Sequence, residues 1–196
     1  MPNWKSIPNG EIAYIPRFFS ERESNHYLAF LARTIRWERK KIRMFGREIP
    51  SSRMTAWYGD PGVQYTYSGI TLRASQWLPP LLKIKRRIDD ASGEVFNGVL
   101  ANFYMSSRDS MDWHSDNEPE LGDQPVIASV SFGAARIFKL RHTKERGVSP
   151  LKYILENGDL FIMRGETQKF WKHQVPKTRE TVRARINLSY RRIMDD

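Results

Sequence analysis

Residues 185–191 read Arg-Ile-Asn-Leu-Ser-Tyr-Arg. Polar and apolar side chains alternate without a break, and successive side chains of a β-strand point to opposite faces. Arg185, Asn187, Ser189 and Arg191 therefore share one face, and Ile186, Leu188 and Tyr190 share the other. A buried apolar face would turn the polar face toward a cavity or toward solvent. The planar fork of a guanidinium pairs with carboxylates, so the polar face is a candidate seat for an organic acid. An amphipathic edge strand in a basic protein accounts for the same pattern. Six residues of strand span about 20 Å, so the two arginines need different partners. One is expected to anchor the far end of the acid. The other serves its near end or supports a neighbouring side chain, and the sequence leaves that choice open.

Segments of strand character precede this one: GEIAYIP, WERKKIRM, MTAWYG, YTYSGI, FNGVLANFYM, VIASVSF, RIFKLRH, LKYILE and DLFIMR. They are short, rich in β-branched and aromatic residues, and punctuated by Gly, Asn or Pro. Two helices are predicted among the early segments. Ser20 and Glu23 have capping-box spacing, which starts a helix at about 21 and carries it to about 35. Pro79 and Gly93 bracket a second helix at about 79–92. Strands dominate from about residue 95 onward, so the expected class is α+β: a two-sheet sandwich or open barrel braced by N-terminal helices.

At 196 residues, with apolar residues throughout, one domain over 1–196 is expected. No run of about 18 apolar residues occurs, and the first residues lack the apolar stretch of a signal peptide, so no membrane partner is expected. There is no cysteine, which excludes disulfides and thiolate metal sites and makes an intracellular setting the simpler expectation, cytoplasmic if the source is bacterial. A monomer is expected. The formal net charge of +10 favours a polyanionic partner, through neutralised phosphates and released counterions.

Any metal must be held by His, Asp or Glu, and there are four histidines. In His114-Ser-Asp116 an imidazole and a carboxylate at i and i+2 of an extended segment point the same way and can grip one ion. His173, beyond DLFIMR and a Trp171-Lys172 step, is the candidate third ligand. Two neutral imidazoles and one carboxylate leave open coordination positions, which suits non-haem Fe(II), although zinc accepts the same ligands. His26 falls within the first helix and takes no role. His142 follows a strand in a basic stretch and is expected to face a loop or a phosphate.

The set His114-x-Asp116, His173 and Arg185-x-Asn187-x-x-x-Arg191 resembles the AlkB family of Fe(II)/2-oxoglutarate dealkylases. PVIASVSFGAARIFKLRH, Asn102-Phe-Tyr104, Tyr58-Gly-Asp-Pro-Gly and Tyr65-Thr-Tyr67-Ser-Gly extend the resemblance over about residues 10–193, with the duplex DNA repair homologues of mammalian type the most similar. The resemblance implies a double-stranded β-helix, or jelly-roll, core. It implies Fe(II) at His114, Asp116 and His173. It implies 2-oxoglutarate against Asn102, Tyr104, Arg185, Asn187, Ser189 and Arg191, with the family varying at the Ser189 position. Dioxygen would be the other co-substrate. The implied reaction is oxidative dealkylation of bases such as 1-methyladenine and 3-methylcytosine, yielding formaldehyde, succinate and carbon dioxide.

Nucleotide-recognition hairpins are expected at about 37–72. Tyr65 and Tyr67 share strand parity and are expected to offer aromatic faces to a cationic base. Asn117 or Glu118 would accept a hydrogen bond from its exocyclic amine. A base in a duplex must be flipped out first, and Met44-Phe45-Gly46, at the expected tip of a basic hairpin, is the candidate wedge for the vacated stack. Arg53, Arg141, Lys144, Arg146, Lys177 and Arg179 are candidate phosphate contacts, which position a strand without reading its sequence. Alkylated DNA, duplex or single-stranded, is the expected partner. RNA as substrate, and a non-catalytic nucleic-acid-binding module, are the alternatives.

Overall fold

The structure is a computed structural model. It describes residues 2–44, 47–67 and 70–194, with all their side chains except those of residues 41–44, 47–49, 67, 70 and 72. In chain order the strands are β1 (Trp4–Ile7), β2 (Gly10–Ile15), β3 (Lys41–Met44), β4 (Arg47–Pro50), β5 (Met54–Gly59), β6 (Gln64–Tyr67), β7 (Ile70–Arg73), β8 (Gly98–Tyr104), β9 (Met111–His114), β10 (Ile127–Gly133), β11 (Arg136–His142), β12 (Leu151–Leu155), β13 (Leu160–Arg164), β14 (Trp171–Val175) and β15 (Arg185–Arg191). The helices are α1 (Glu21–Thr34), α2 (Pro79–Ser92) and the single turn α3 (Thr167–Phe170).

A larger sheet runs β1-β2-β13-β10-β15-β8-β5 and a smaller one β12-β11-β14-β9, and the hairpins β3-β4 and β6-β7 stand apart from both. The two facing sheets, with helices on the outer side of the larger one, form the expected α+β jelly roll. Among the described residues no helix is long and apolar enough to cross a membrane.

Both long helices begin and end where their caps dictate. Ser20 and Glu23 make both reciprocal bonds of a capping box, and α1 stops when Ile35 turns extended. Pro79 sits in the first turn of α2, and Gly93 ends it at φ +76°, a left-handed conformation that glycine adopts without steric cost. The helices cover the outer face of the larger sheet. Tyr27, Leu31, Leu81, Ile84 and Ile88 pack there with Val99, Ala101, Phe132, Ile186 and Leu188. A second buried layer lies between the sheets and includes Trp57, Tyr65, Leu100, Phe138, Leu140 and Phe161. β8 and β15 are consequently buried on both faces along their whole length.

The strand expectations hold with corrections. YTYSGI is a hairpin, not one strand, because β6 pairs antiparallel with β7 and sets Tyr67 opposite Ile70. WERKKIRM is a strand from Lys41 onward, and Glu38 touches the chain at an isolated bridge to Thr55. β1, β4, β9 and β14 were not expected as strands. β9 (MDWH) and β14 (WKHQV) are short and polar because they carry the site, which weakens the sequence signal for strand. Phe45 and Gly46 lie outside the described residues, as do the side chains of Met44 and Tyr67.

Candidate metal centre and co-substrate cavity

The register of the smaller sheet assembles the metal centre. β14 pairs with β9 so that His173 is directly opposite His114, and their ring centroids lie 4.1 Å apart. Asp116 follows just past the end of β9, with carboxylate oxygens 4.0 Å from His114 Nε2 and 3.8 Å from His173 Nε2. One ligand atom from each of the three lies within 4.8 Å of the others.

Supporting groups fix each donor. His114 Nδ1 donates to the Asp112 carbonyl at 2.9 Å, which leaves Nε2 as the lone pair facing the centre. The Asp116 backbone N–H donates to Gln168 Oε1 at 2.9 Å, and Arg191 Nη2 donates to Asp116 Oδ1 at 2.8 Å. Burial pushes the His173 imidazole down to about 3, and the adjacent His114 and Arg191 push the same way. Burial also lowers His114. Burial alone would raise the Asp116 carboxyl, but Arg191 and the two imidazoles outweigh it and hold it below its ordinary value. Two neutral imidazoles and an ionised carboxylate are the protonation states a divalent cation requires.

The larger sheet supplies the opposite wall. Asn102, Asn187 and Ser131 stand in register across β8, β15 and β10, and Tyr104 is opposite Arg185. Asn102, Tyr104, Asp116, Asn187, Ser189 and Arg191 line a small cavity together with the two histidines. Arg185 is 1% exposed, donates Nη2 to Ser131 Oγ at 2.9 Å, and lies 5.1 Å from the centre of the Tyr104 ring. Its Nε and Nη1 are buried with no acceptor in hydrogen-bonding geometry. Burial pushes this guanidinium down to about 10. A buried cation with unmet donors is costly unless an anion completes it. Asn187 Nδ2 donates to Ser129 Oγ at 2.7 Å, and the Ser189 hydroxyl donates to Asn187 Oδ1 at 3.1 Å. Both arginine roles left open by the sequence are thus constrained, since Arg191 is on Asp116 while Arg185 presents donors.

Other expected site residues fall elsewhere. Arg53 was expected at the surface on a phosphate. It is instead buried, donating Nε to Asn102 Oδ1 at 2.6 Å, because the chain entering β5 runs across the cavity wall. Tyr65 was expected to offer its ring to a base. It is fully buried on Trp57 with Arg191 4.8 Å over it, and its hydroxyl lies beside Glu118. The Glu118 carboxyl is raised, by burial and then by the Asp116 charge, and Asn117 is exposed. Arg141, Lys144, Arg146, Lys177 and Arg179 are exposed, as phosphate contacts require. His142 closes β11 against Phe170 and Trp171, and His26 is on the exposed side of α1. Sequence reasoning missed Gln168, Ser129, Ser131 and Arg136. Arg136 is buried and donates to the carbonyls of Asp109 and Pro176, tying together the loops that follow β8 and β14. The alternating pattern of RIFKLRH, with Arg136 on the same parity as Phe138, was the available signal.

Comparison with known proteins agrees with this architecture. The chain belongs to the 2OG-Fe(II) oxygenase superfamily, whose sequence model matches residues 11–191. Its relatives within that superfamily are AlkB homologues. It is 42% identical to the rat alpha-ketoglutarate-dependent dioxygenase alkB homolog 3 over 94% of this chain and 65% of the relative. It is 36% identical to the human DNA oxidative demethylase ALKBH2 over 89% of this chain and 66% of the relative. The chain thus spans just under two thirds of the length of these relatives. The solved structure of OsALKBH1 superposes with a TM-score of 0.69 over 97% of this chain and 100% of that one, at 16% identity, which establishes a shared fold.

Proposed function

We propose that this protein is an Fe(II)- and 2-oxoglutarate-dependent dioxygenase that removes N-alkyl groups from nucleic-acid bases such as 1-methyladenine and 3-methylcytosine, releasing formaldehyde. The observation that carries the reading is the convergence of His114, Asp116 and His173 in one cavity lined by Asn187, Ser189 and Arg191 of β15, the strand that also carries the buried guanidinium of Arg185 with its unpaired Nε and Nη1. Two imidazoles and one carboxylate are the donor set of non-haem Fe(II) oxygenases. When bound, iron and 2-oxoglutarate would supply the oxidation of an inert C–H bond, coupled to decarboxylation of the co-substrate to succinate.

The protein's own residues bind and orient. Arg191 holds the Asp116 carboxylate toward the two imidazoles, and Gln168 holds the Asp116 backbone N–H. Arg185, with Tyr104 beside it, receives the far carboxylate of the diacid, and Asn102, Asn187 and Ser189 shape the wall between the ends. Glu118, beside Tyr65, and Asn117 accept from the exocyclic amine of a base in this reading. Tyr67 and the segment Met44-Phe45-Gly46 complete the nucleotide-recognition role. Arg141, Lys144, Arg146, Lys177 and Arg179 take phosphates. An intracellular monomer acting on DNA completes the proposal. Similarity to the human relative, a DNA oxidative demethylase, favours DNA over RNA.

One assay decides the reading. The protein is incubated with Fe(II), 2-oxoglutarate and oligonucleotides carrying 1-methyladenine as duplex DNA, single-stranded DNA or RNA. Unmodified adenine and stoichiometric succinate are expected. Tight oligonucleotide binding without either product would make the chain a non-catalytic binding module, and higher turnover on RNA would change the substrate. Equal duplex activity after Phe45→Ala would remove the wedge.

A further inference from the structure

The smaller sheet has a second face, turned away from the metal centre. Phe138, Leu140 and His173 point inward, so the alternate positions point outward: Lys139 and Arg141 on β11, Lys152 and Ile154 on β12, Lys172 and Gln174 on β14. The register sets Lys139 directly opposite Lys152, and Arg141 directly opposite Lys172. Like charges directly opposite one another on a sheet destabilise it, and an ordinary solvated face mixes signs. In the four strands of this sheet the one acid is Asp112, on the edge strand. Among the described residues, none of the four cations has a carboxylate at ion-pair distance.

The face also carries an aromatic support. Trp113 precedes His114 on β9 and turns to the opposite side, and the Arg141 guanidinium lies 4.3 Å over its ring. Arg141 thereby reaches across β14 to the edge strand, held flat by cation–π attraction. The basic strip starts behind the metal ligands themselves, at Trp113 and Lys172, and crosses the sheet to Lys152.

We propose that this outer face binds the phosphate backbone of the nucleic-acid chain whose base enters the site, as a second contact surface beyond the mouth. The proposal rests on the dealkylase reading for its occupant. Two unrelieved like-charge pairs are a standing cost that a polyanion removes, and a basic sheet face with one half-buried aromatic takes phosphates without regard to sequence. The surface makes affinity depend on strand length.

The test uses the full chain carrying Lys139→Gln, Lys152→Gln and Lys172→Gln together. Fluorescence anisotropy follows binding of a long single strand and of a pentanucleotide over a range of salt concentrations. The expected result is long-strand affinity lower by on the order of tenfold, and a slope of log Kd against log salt smaller by about 2, at about 0.7 per lost phosphate contact on single strands. Thermal stability is expected to be unchanged or raised, because two like-charge pairs are relieved, so a binding loss cannot come from unfolding. Unchanged long-strand affinity and salt slope would overturn the proposal. Tighter binding to polyglutamate than to DNA would overturn it in favour of an acidic protein partner. Turnover of a methylated pentanucleotide by the unaltered protein is measured separately. Its absence would sink the dealkylase reading, while the binding series would still decide this surface.

Discussion

The two faces of β15 occupy two different interiors. Ile186, Leu188 and Tyr190 enter a layer closed by α1 and α2, where apolar groups satisfy one another by contact. Arg185, Asn187, Ser189 and Arg191 enter the space between the sheets, and all four are buried too. Burial is therefore equal on the two faces, and chemistry separates them. The helix-side layer is complete as it stands. The inter-sheet layer is completed in part by internal bonds, Arg191 on Asp116 and Asn187 on Ser129, and at Arg185 it is left open.

That contrast predicts different failures on the two sides. The largest effect is expected for His173→Ala, which removes a metal donor. Binding of Co(II), followed by its absorption spectrum, should weaken by at least about 100-fold, since even supporting groups account for 10–100-fold. Formaldehyde release should fall to background, and release that persists would break the ligand assignment. On the other side, Leu188→Ala should cost about 2–5 kcal/mol in urea unfolding while leaving Co(II) affinity intact at temperatures where the protein is folded. Matched losses of stability and metal affinity would show that the two interiors are not separable.

Arg185→Met sharpens the comparison further. Loss of charge-assisted bonds worth about 1.5–3 kcal/mol should raise the half-saturating 2-oxoglutarate concentration between about 10- and 150-fold. The ligand-free protein should be as stable as before or more so, because a buried cation lacking full partners has been replaced by an apolar chain. A lowered melting temperature without 2-oxoglutarate would mean that Arg185 is structural.

The remaining difference is in pH dependence. His173 is held down to about 3 in the folded protein against about 6.5 in an unfolded chain. Between those values the unfolded chain binds more protons, so stability rises with pH across that window and is lost as pH falls below about 6.5. The slope is up to about 1.4 kcal/mol per pH unit for one imidazole. Asp116, lowered when folded, acts in the same direction at more acidic pH. Urea titrations from neutral pH downward should show this slope flattened in the His173→Ala variant.

Much of the fold was legible because its signals are local. The Ser20–Glu23 cap and the Pro79–Gly93 bracket marked both long helices, and unbroken alternation marked β15. The signals failed where the site itself is built. β9 and β14 are short and carry ligands in place of the apolar residues that reveal strands, so His173 was expected to follow a strand when it sits within one. Tyr65 could be placed on a strand by parity, but parity does not say that Trp57 and Arg191 enclose its ring.

By itself the sequence determined which side chains share a face, because a period of two is a property of the extended backbone and needs no partner. It also determined that a metal, if held, is held by His, Asp or Glu, since the chain has no cysteine. Tertiary structure alone decided which faces meet. Register brought His114 opposite His173, set Arg191 rather than Arg185 on Asp116, drew Arg53 off the surface onto Asn102, and placed Lys139 against Lys152. Strand pairing joins residues far apart in the chain, and which pairing closes both buried layers at once is a property of the packed whole.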